Sequence, residues 1–260
     1  MGMELDYYTA RALLEWQVEM GVTEAICDAP VDRYGLPDKR KPPVSAKVGE
    51  ETASKPVEVD PVEVAKAAAR SADSLEDLQA AMASFPYCDL RKGARNLVFA
   101  DGQPQARLMI LGEAPGRDED IEGRPFVGRA GQLLDRMFDA IGVARTSPDA
   151  DAAIYITNVL PWRPPQNRDP KPEEIAMMMP FVERHIALVD PDVLVCMGNI
   201  ACQAVLGRRG ITRLRGQWTT AFGKPVLPMF HPAYLLRSPI KKRETWEDLL
   251  ALKHRLQEGQ

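Results

Sequence analysis

Four short apolar runs, residues 108–111, 154–157, 193–197 and 226–230, constrain this chain more than any other feature. Each is continuous rather than alternating, as expected of a strand buried on both faces. Between and after them, residues 132–141, 173–189, 200–206 and 243–256 carry apolar side chains three and four apart, the helical period. Strands of this kind alternating with helices predict an α/β fold: a three-layer α/β/α sandwich with a central, mainly parallel four-stranded sheet. Ligands in such folds sit beyond the carboxyl ends of the strands.

Each run leads into a polar or glycine-bearing segment. Gly112-Glu113-Ala114-Pro115-Gly116 comes after the first, Asn158 after the second, Gly198-Asn199 after the third and His231-Pro232 after the fourth. Parallel strands bring these four segments to one rim. The first continues through Asp118-Glu119-Asp120 and Gly123 to Gly131, and its glycines and prolines permit sharp turns and a close approach of backbone to ligand. Phe126 is a lone aromatic in this otherwise polar loop. Asn158 offers one donor and one acceptor on a single amide, and His231 is one of three histidines.

Upstream, residues 7–20 have the spacing of an amphipathic helix, with Tyr8, Ala12, Leu13, Trp16 and Met20 on one face. Residues 27–61 are proline-rich and read as a linker. Helices are predicted over 61–69 and 74–84, the second capped by Ser74. The predicted division is therefore an N-terminal helix, linker and helical lead-in over 1–73, and a compact domain over 74–260.

Of the 260 residues, 45% are hydrophobic and 27% charged, as in an ordinary globular protein. No apolar run reaches the length of about 18 residues that a membrane span needs, and Glu4 and Asp6 stand where a signal peptide would be basic, so the expectation is a cytoplasmic protein with no membrane partner. Cys27, Cys88, Cys196 and Cys202 are scattered with no C-x-x-C pair, which excludes a disulfide framework or zinc ribbon as the organising principle. A formal net charge of −4 argues against indiscriminate coating of nucleic acid, yet residues 205–243 hold nine Lys and Arg and no Asp or Glu.

Three separated segments, GEAPGRDEDIEGRPFVGRAGQLLDRMF from Gly112, YITNVLPWRPPQNRDPKPEE from Tyr155 and MFHPAYLLR from Met229, together resemble the family 4, thermostable-type uracil-DNA glycosylases. The resemblance runs from about Ser74 to the C-terminus. It implies hydrolysis of the N-glycosidic bond of deoxyuridine in DNA, with the nucleotide flipped from the duplex and an abasic site left behind. It also implies site roles. Gly112, Glu113, Ala114, Phe126, Asn158 and His231 would form the uracil pocket, with Phe126 under the ring, the Asn158 amide on O4 and N3–H, and His231 at O2. Glu119 and Asn167 would position or activate the water, and His231 would stabilise the departing anion, so Glu119, Asn167 and His231 are the catalytic candidates. Leu235, Leu236 and Arg237 would contact DNA, one leucine filling the gap left by the flipped nucleotide and the arginine holding a phosphate.

The chain departs from that family at one point. Most members hold a [4Fe-4S] cluster on four cysteines, and the positions that correspond here are Phe85, Cys88, Trp162 and Met178. The expectation is therefore a member with no metal and no cofactor, acting as a monomer on uracil-containing DNA. Two other readings compete with it: a damaged-DNA-binding scaffold of weak activity, and a glycosylase for another deaminated base. Covalent trapping of the product, a variant in the wider superfamily, needs a histidine near residues 163–168, and none is there.

Overall fold

The computed structural model describes residues 60–258, and in chain order they form α1 (Pro61–Arg70), α2 (Leu75–Ser84), β1 (Ala100–Gly102), β2 (Leu108–Gly112), α3 (Arg117–Glu122), α4 (Arg129–Asp139), β3 (Ile154–Asn158), α5 (Pro172–Val189), β4 (Val193–Met197), α6 (Gly198–Leu206), α7 (Ile211–Leu214), β5 (Thr219–Ala221), β6 (Lys224–Met229), α8 (Pro232–Arg237) and α9 (Lys242–Glu258). The helix predicted over 7–20 and nearly all of the linker predicted over 27–61 lie outside the described residues.

The strands make one six-stranded sheet in the order β1-β3-β2-β4-β6-β5. Its four central strands are parallel and are the four apolar runs; every residue of β2, β3 and β4 is buried. Helices cover the sheet in a three-layer α/β/α sandwich. The sheet is larger than the predicted four strands because β1 and β5 pair antiparallel with β3 and β6 at its two edges. Each is three residues long and carries no apolar pattern, so only pairing with a formed neighbour makes it a strand.

The register sets the functional rim. Gly112 pairs with Asn158, Leu111 with Cys196 and Met197 with Met229, so the central strands end level and release their loops at the same edge. Leu133, Leu134 and Phe138 of α4, Val182 and Ile186 of α5, and Leu249 and Leu252 of α9 pack with the strands in the main core.

A second apolar cluster joins α1 and α2 to α5, with Ala65, Ala69, Leu78 and Met82 against Met178 and Phe181. Asp60 caps α1, its Oδ1 accepting from Val62 N at 2.9 Å, and Arg184 Nε donates to Ala72 O at 2.8 Å. The compact unit therefore begins upstream of Ser74, the start predicted from sequence. The contacting face of α1 is alanine, small enough for close helix approach but a weak periodic signal. Ser74 itself caps α2 as expected, accepting from Asp77 N at 3.0 Å.

Candidate active site

Gly112 ends β2 with no side chain, and the structure uses that space. A Cβ there would lie 2.2 Å from Asn158 Oδ1 and 2.6 Å from Phe126 Cε2, so the amide and the ring occupy the room that any other residue would take. Beyond the strands, Val159 N donates to Gly112 O and Leu160 N to Glu113 O, both at 3.0 Å, which carries the β2–β3 ladder into the loops and stiffens them.

Phe126 adopts a φ of 53°, an unfavourable conformation for an aromatic residue, and it is held there from two sides. On one side is α4, where a Cβ on Gly131 would sit 1.7 Å from Phe126 O. On the other is Arg145, whose guanidinium donates to Pro125 O and Phe126 O at 2.9 Å each and pairs with Asp101 at 2.9 Å and Asp135 at 2.8 Å. Arg145 has no signature in the sequence, since a single arginine in a connecting loop carries no motif.

Glu119 ties the loop to itself. Its Oε2 accepts from Gly116 N at 3.1 Å, and its Oε1 accepts from Val127 N and Gly128 N at 3.0 Å each. Three of about four acceptor positions on the carboxylate are thereby used. The charge is fixed in place at the wall of the cleft, beside Phe126.

His231 caps α8, with Nδ1 accepting from Ala233 N at 3.1 Å. That bond leaves the proton on Nε2. Burial, aided by the Arg237 charge, holds the imidazole's pKa down at about 4, so at neutral pH the ring is uncharged and Nε2–H is a donor. Gly198, at a φ of 90°, passes close to it; a Cβ there would stand 3.1 Å from His231 Cβ. The other described mid-chain histidine, His185, is packed under the sheet, bonded to Tyr155 Oη at 2.9 Å and stacked on Phe99.

These residues surround one cleft of about 660 Å³ at the carboxyl edge of the sheet, lined by Glu113, Ala114, Glu119, Phe126, Asn158, Asn167 and His231 among others. Glu113 titrates unusually: burial, then repulsion from Asp169, raises its pKa to about 7 against the pull of Arg209. Asn167 sits at a φ of 54° with its Oδ1 taken by Arg163 Nε at 2.8 Å, so the side chain offers the cleft its amide N–H. Arg209 and Arg237 bring positive charge to the lining, whereas the Arg168 guanidinium there is paired with Glu174, donating to Oε2 at 2.9 Å and to Oε1 at 2.5 Å. Asn199, in the first turn of α6, accepts from Gly210 N and Ile211 N and so braces the turn that carries Arg209. All the sequence-predicted pocket residues thus meet, apart from Gly112, which acts as the gap behind two of them.

The predicted DNA-contacting residues are less uniform. Leu235 is fully buried in the main core, which corrects its placement among the DNA contacts; α8 turns its side chain inward to anchor the helix. Leu236 packs partly against the same core, and Arg237 is exposed. The basic stretch is also divided: Arg215 is clamped by Asp248 and Glu244, Lys224 by Asp190 and Lys241 by Glu244. The others make no ion pair among the described residues.

Phe85, Cys88, Trp162 and Met178 converge, as the resemblance places them, but as an apolar packing cluster with Phe181 and Leu90. Phe85 meets Phe181 edge-on with ring centroids 5.4 Å apart, and burial raises the Cys88 thiol's pKa above its ordinary value, favouring the protonated form. A cluster of the [4Fe-4S] type wants four thiolates, and these side chains do not fit it. Among the described residues no three His, Cys, Asp or Glu stand together as a metal site. Cys196 and Cys202 adjoin one another, buried, with their thiol pKa values likewise raised by burial. Cys27 lies outside the described residues.

Residues 99–250 match the sequence model of the uracil DNA glycosylase superfamily. The type-4 uracil-DNA glycosylase of Archaeoglobus fulgidus is 40% identical over 184 residues, covering 67% of this chain and 89% of the relative. That of Thermotoga maritima is 41% identical over 156 residues, covering 58% and 77%. The type-5 uracil-DNA glycosylase of Thermus thermophilus is 31% identical over 121 residues, covering 43% and 55%.

Proposed function

This chain belongs to the uracil DNA glycosylase superfamily, alongside type-4 relatives, and on that premise we propose that it hydrolyses the N-glycosidic bond of deoxyuridine in DNA, releasing uracil and leaving an abasic site. The observation that carries the reading is the convergence of Phe126, Asn158 and a neutral His231 in one cleft.

Each residue supplies a distinct part of the chemistry. A flipped base lies against Phe126. The Asn158 amide accepts from uracil N3–H and donates to O4, whereas cytosine presents the opposite pattern and leaves both ends unpaired. As the bond from C1′ to the base nitrogen breaks, its electron pair moves onto the uracil ring. His231 Nε2–H then faces a growing negative charge at O2, and a bond that strengthens in the transition state lowers the barrier. A neutral donor suits this step, because it stabilises the anion without first transferring a proton.

Water then adds to C1′ of the sugar cation through its oxygen and loses one proton to solvent, while the departed uracil anion takes one up, so the products are an abasic site and neutral uracil. Glu119, with one acceptor position left, and Asn167, with its amide N–H, hold that water on the sugar side. Because Glu119 is pinned by three backbone N–H groups, its contribution is orientation and negative charge opposite the developing sugar cation. Arg237 and the exposed part of Leu236 meet the flanking DNA.

The same reading takes the protein as a monomer that works without an iron–sulfur cluster, because apolar packing around Trp162 and Met178 does the tethering that ligation would do. The experiment is alkali-sensitive cleavage of a labelled oligonucleotide carrying one uracil. Cleavage by the unaltered protein, lost in Asn158→Ala, supports the reading. DNA binding without cleavage would favour the scaffold, and cleavage at hypoxanthine in preference to uracil would favour another base.

A further inference from the structure

The most exposed large apolar side chain among the described residues is Ile240, at 83% of its full surface; the next, Ile121, is at 47%. A single exposed isoleucine is ordinary on a protein surface. What sets Ile240 apart is where it stands and what surrounds it.

It occupies the turn between α8 and α9. The first of these helices begins at His231 and contributes Ala233, Tyr234 and Arg237 to the cleft, so Ile240 is three residues past a cleft-lining arginine, within about 10 Å of it along the chain. The segment from Arg237 to Arg243 contains four cations and no acid. Of these, Lys241 is paired with Glu244, while Arg237, Lys242 and Arg243 make no ion pair among the described residues.

The turn is stiff. Ser238 N donates to Tyr234 O at 2.8 Å, Lys241 N to Ser238 O at 3.1 Å, and Thr245 Oγ1 to Lys241 O at 3.0 Å, while Pro239 restricts the entry. Arg215 Nη2 donates to Glu244 O at 2.6 Å and fixes the start of α9 from below. An apolar side chain is thus held out to water on a rigid base, with those three cations within three residues of it along the chain.

We propose that Ile240 is the wedge that enters the base stack when a uracil nucleotide is turned into the cleft, with Arg237, Lys242 and Arg243 on the adjoining phosphates. Double-stranded DNA is the partner whose chemistry fits: cations for the backbone, and an apolar side chain for the space between stacked bases. Neither leucine of α8 is as well placed, since Leu235 is buried and Leu236 is packed against the core. The proposal rests on the glycosylase reading and adds to it the residue that holds the duplex open.

Its test compares Ile240→Ala and Ile240→Leu with the unaltered full chain on two substrates: a single strand carrying one uracil, and the same strand in a duplex with 2-aminopurine opposite the uracil. A wedge matters only where there is a stack to hold open. The ratio of kcat/KM on duplex to that on single strand should fall about ten-fold or more in Ile240→Ala and return to within about three-fold in Ile240→Leu, and the fluorescence rise on binding duplex should shrink in Ile240→Ala alone. A ratio within about two-fold of the unaltered protein, or an equal loss on both substrates, overturns the proposal. If the unaltered protein releases uracil from neither strand, the glycosylase reading itself fails; the fluorescence rise then decides, and independence from Ile240 overturns the wedge.

Discussion

The ring of Phe126 and the imidazole of His231 face one another with centroids 5.4 Å apart and planes inclined by 29°. A base sandwiched between them would need about 3.5 Å on each side, more than this gap provides. The two residues therefore act from different directions, the phenyl group on a face of the base and the imidazole at its edge. Loss of the platform in Phe126→Ala should lower kcat/KM on uracil-containing single strand by about ten- to a hundred-fold, with Phe126→Tyr retaining most of it. Steady-state kinetics on a uracil oligonucleotide measure this.

His231 is held neutral, and its value depends on Nε2–H. His231→Ala should lower kcat by about a hundred-fold or more, and His231→Gln, which keeps an N–H donor, should recover part of it. With its pKa at about 4, the ring stays neutral across the physiological range, so the pH profile of kcat should show no step near 6.5 from this residue. A step there that disappears in His231→Gln would overturn the neutral-donor assignment.

Glu113 has the opposite sense of perturbation. Its pKa is raised to about 7 in the fold against an ordinary value of 4.5, so the folded state holds this proton more tightly than the unfolded chain. The carboxyl consequently weakens the fold as pH climbs from about 4.5 to 7, and the penalty is complete above that window. Thermal melting of Glu113→Gln should match the unaltered protein near pH 4.5 and exceed it by a few degrees at pH 8. His185 and His231, with pKa values lowered by burial to about 3 and about 4, act in the other direction: their contribution is whole above about 6.5 and is lost as pH falls toward those values.

Arg145 lies outside the cleft lining and is a positioning residue. Its guanidinium is nearly enclosed and bonded to the carbonyls on both sides of the strained Phe126 backbone. Removing one member of such a buried pair costs about 3–5 kcal/mol, so Arg145→Met should lower stability by that order in urea unfolding. At a temperature where the variant remains folded, kcat/KM should still fall, because the platform is no longer aimed; unchanged kinetics in the folded variant would restrict Arg145 to stability.

Iron and acid-labile sulfide in the purified protein should be at trace level, with no absorbance band near 400 nm. Cys88→Ala should retain uracil release within about three-fold, since one buried thiol there packs without ligating. Trp162→Ala should instead destabilise by about 3–5 kcal/mol, as removal of a large core side chain does. A brown protein that bleaches in Cys88→Ala would reverse the assignment.

Much of this was legible in the chain. The central strands are buried on both faces, so their apolar continuity identified them and their order of loops identified the rim. Phe126, Asn158 and His231 are legible because the segments that carry them match motifs of the glycosylases the chain resembles, and each side chain suits the role that the resemblance implies. The edge strands β1 and β5 were not legible, because Ala100–Gly102 and Thr219–Ala221 become strands only by pairing with β3 and β6. Nor was α1's place in the core, since alanines pack closely without an emphatic hydrophobic pattern.

Local sequence determined the elements and the fold class, because burial period and turn chemistry are properties of neighbours in the chain, and three motifs shared with a known family supplied the cast of site residues. Only the tertiary structure decided how those residues act. Glu119 became a loop tie because the backbone N–H groups of Gly116, Val127 and Gly128 came to it, and Arg145 gained a role because the carbonyls of Pro125 and Phe126 did. Leu235 went inward and Ile240 outward through the direction of one short helix and the turn after it. Such roles depend on groups distant in sequence or on the orientation of packed elements, and no window of residues contains that information.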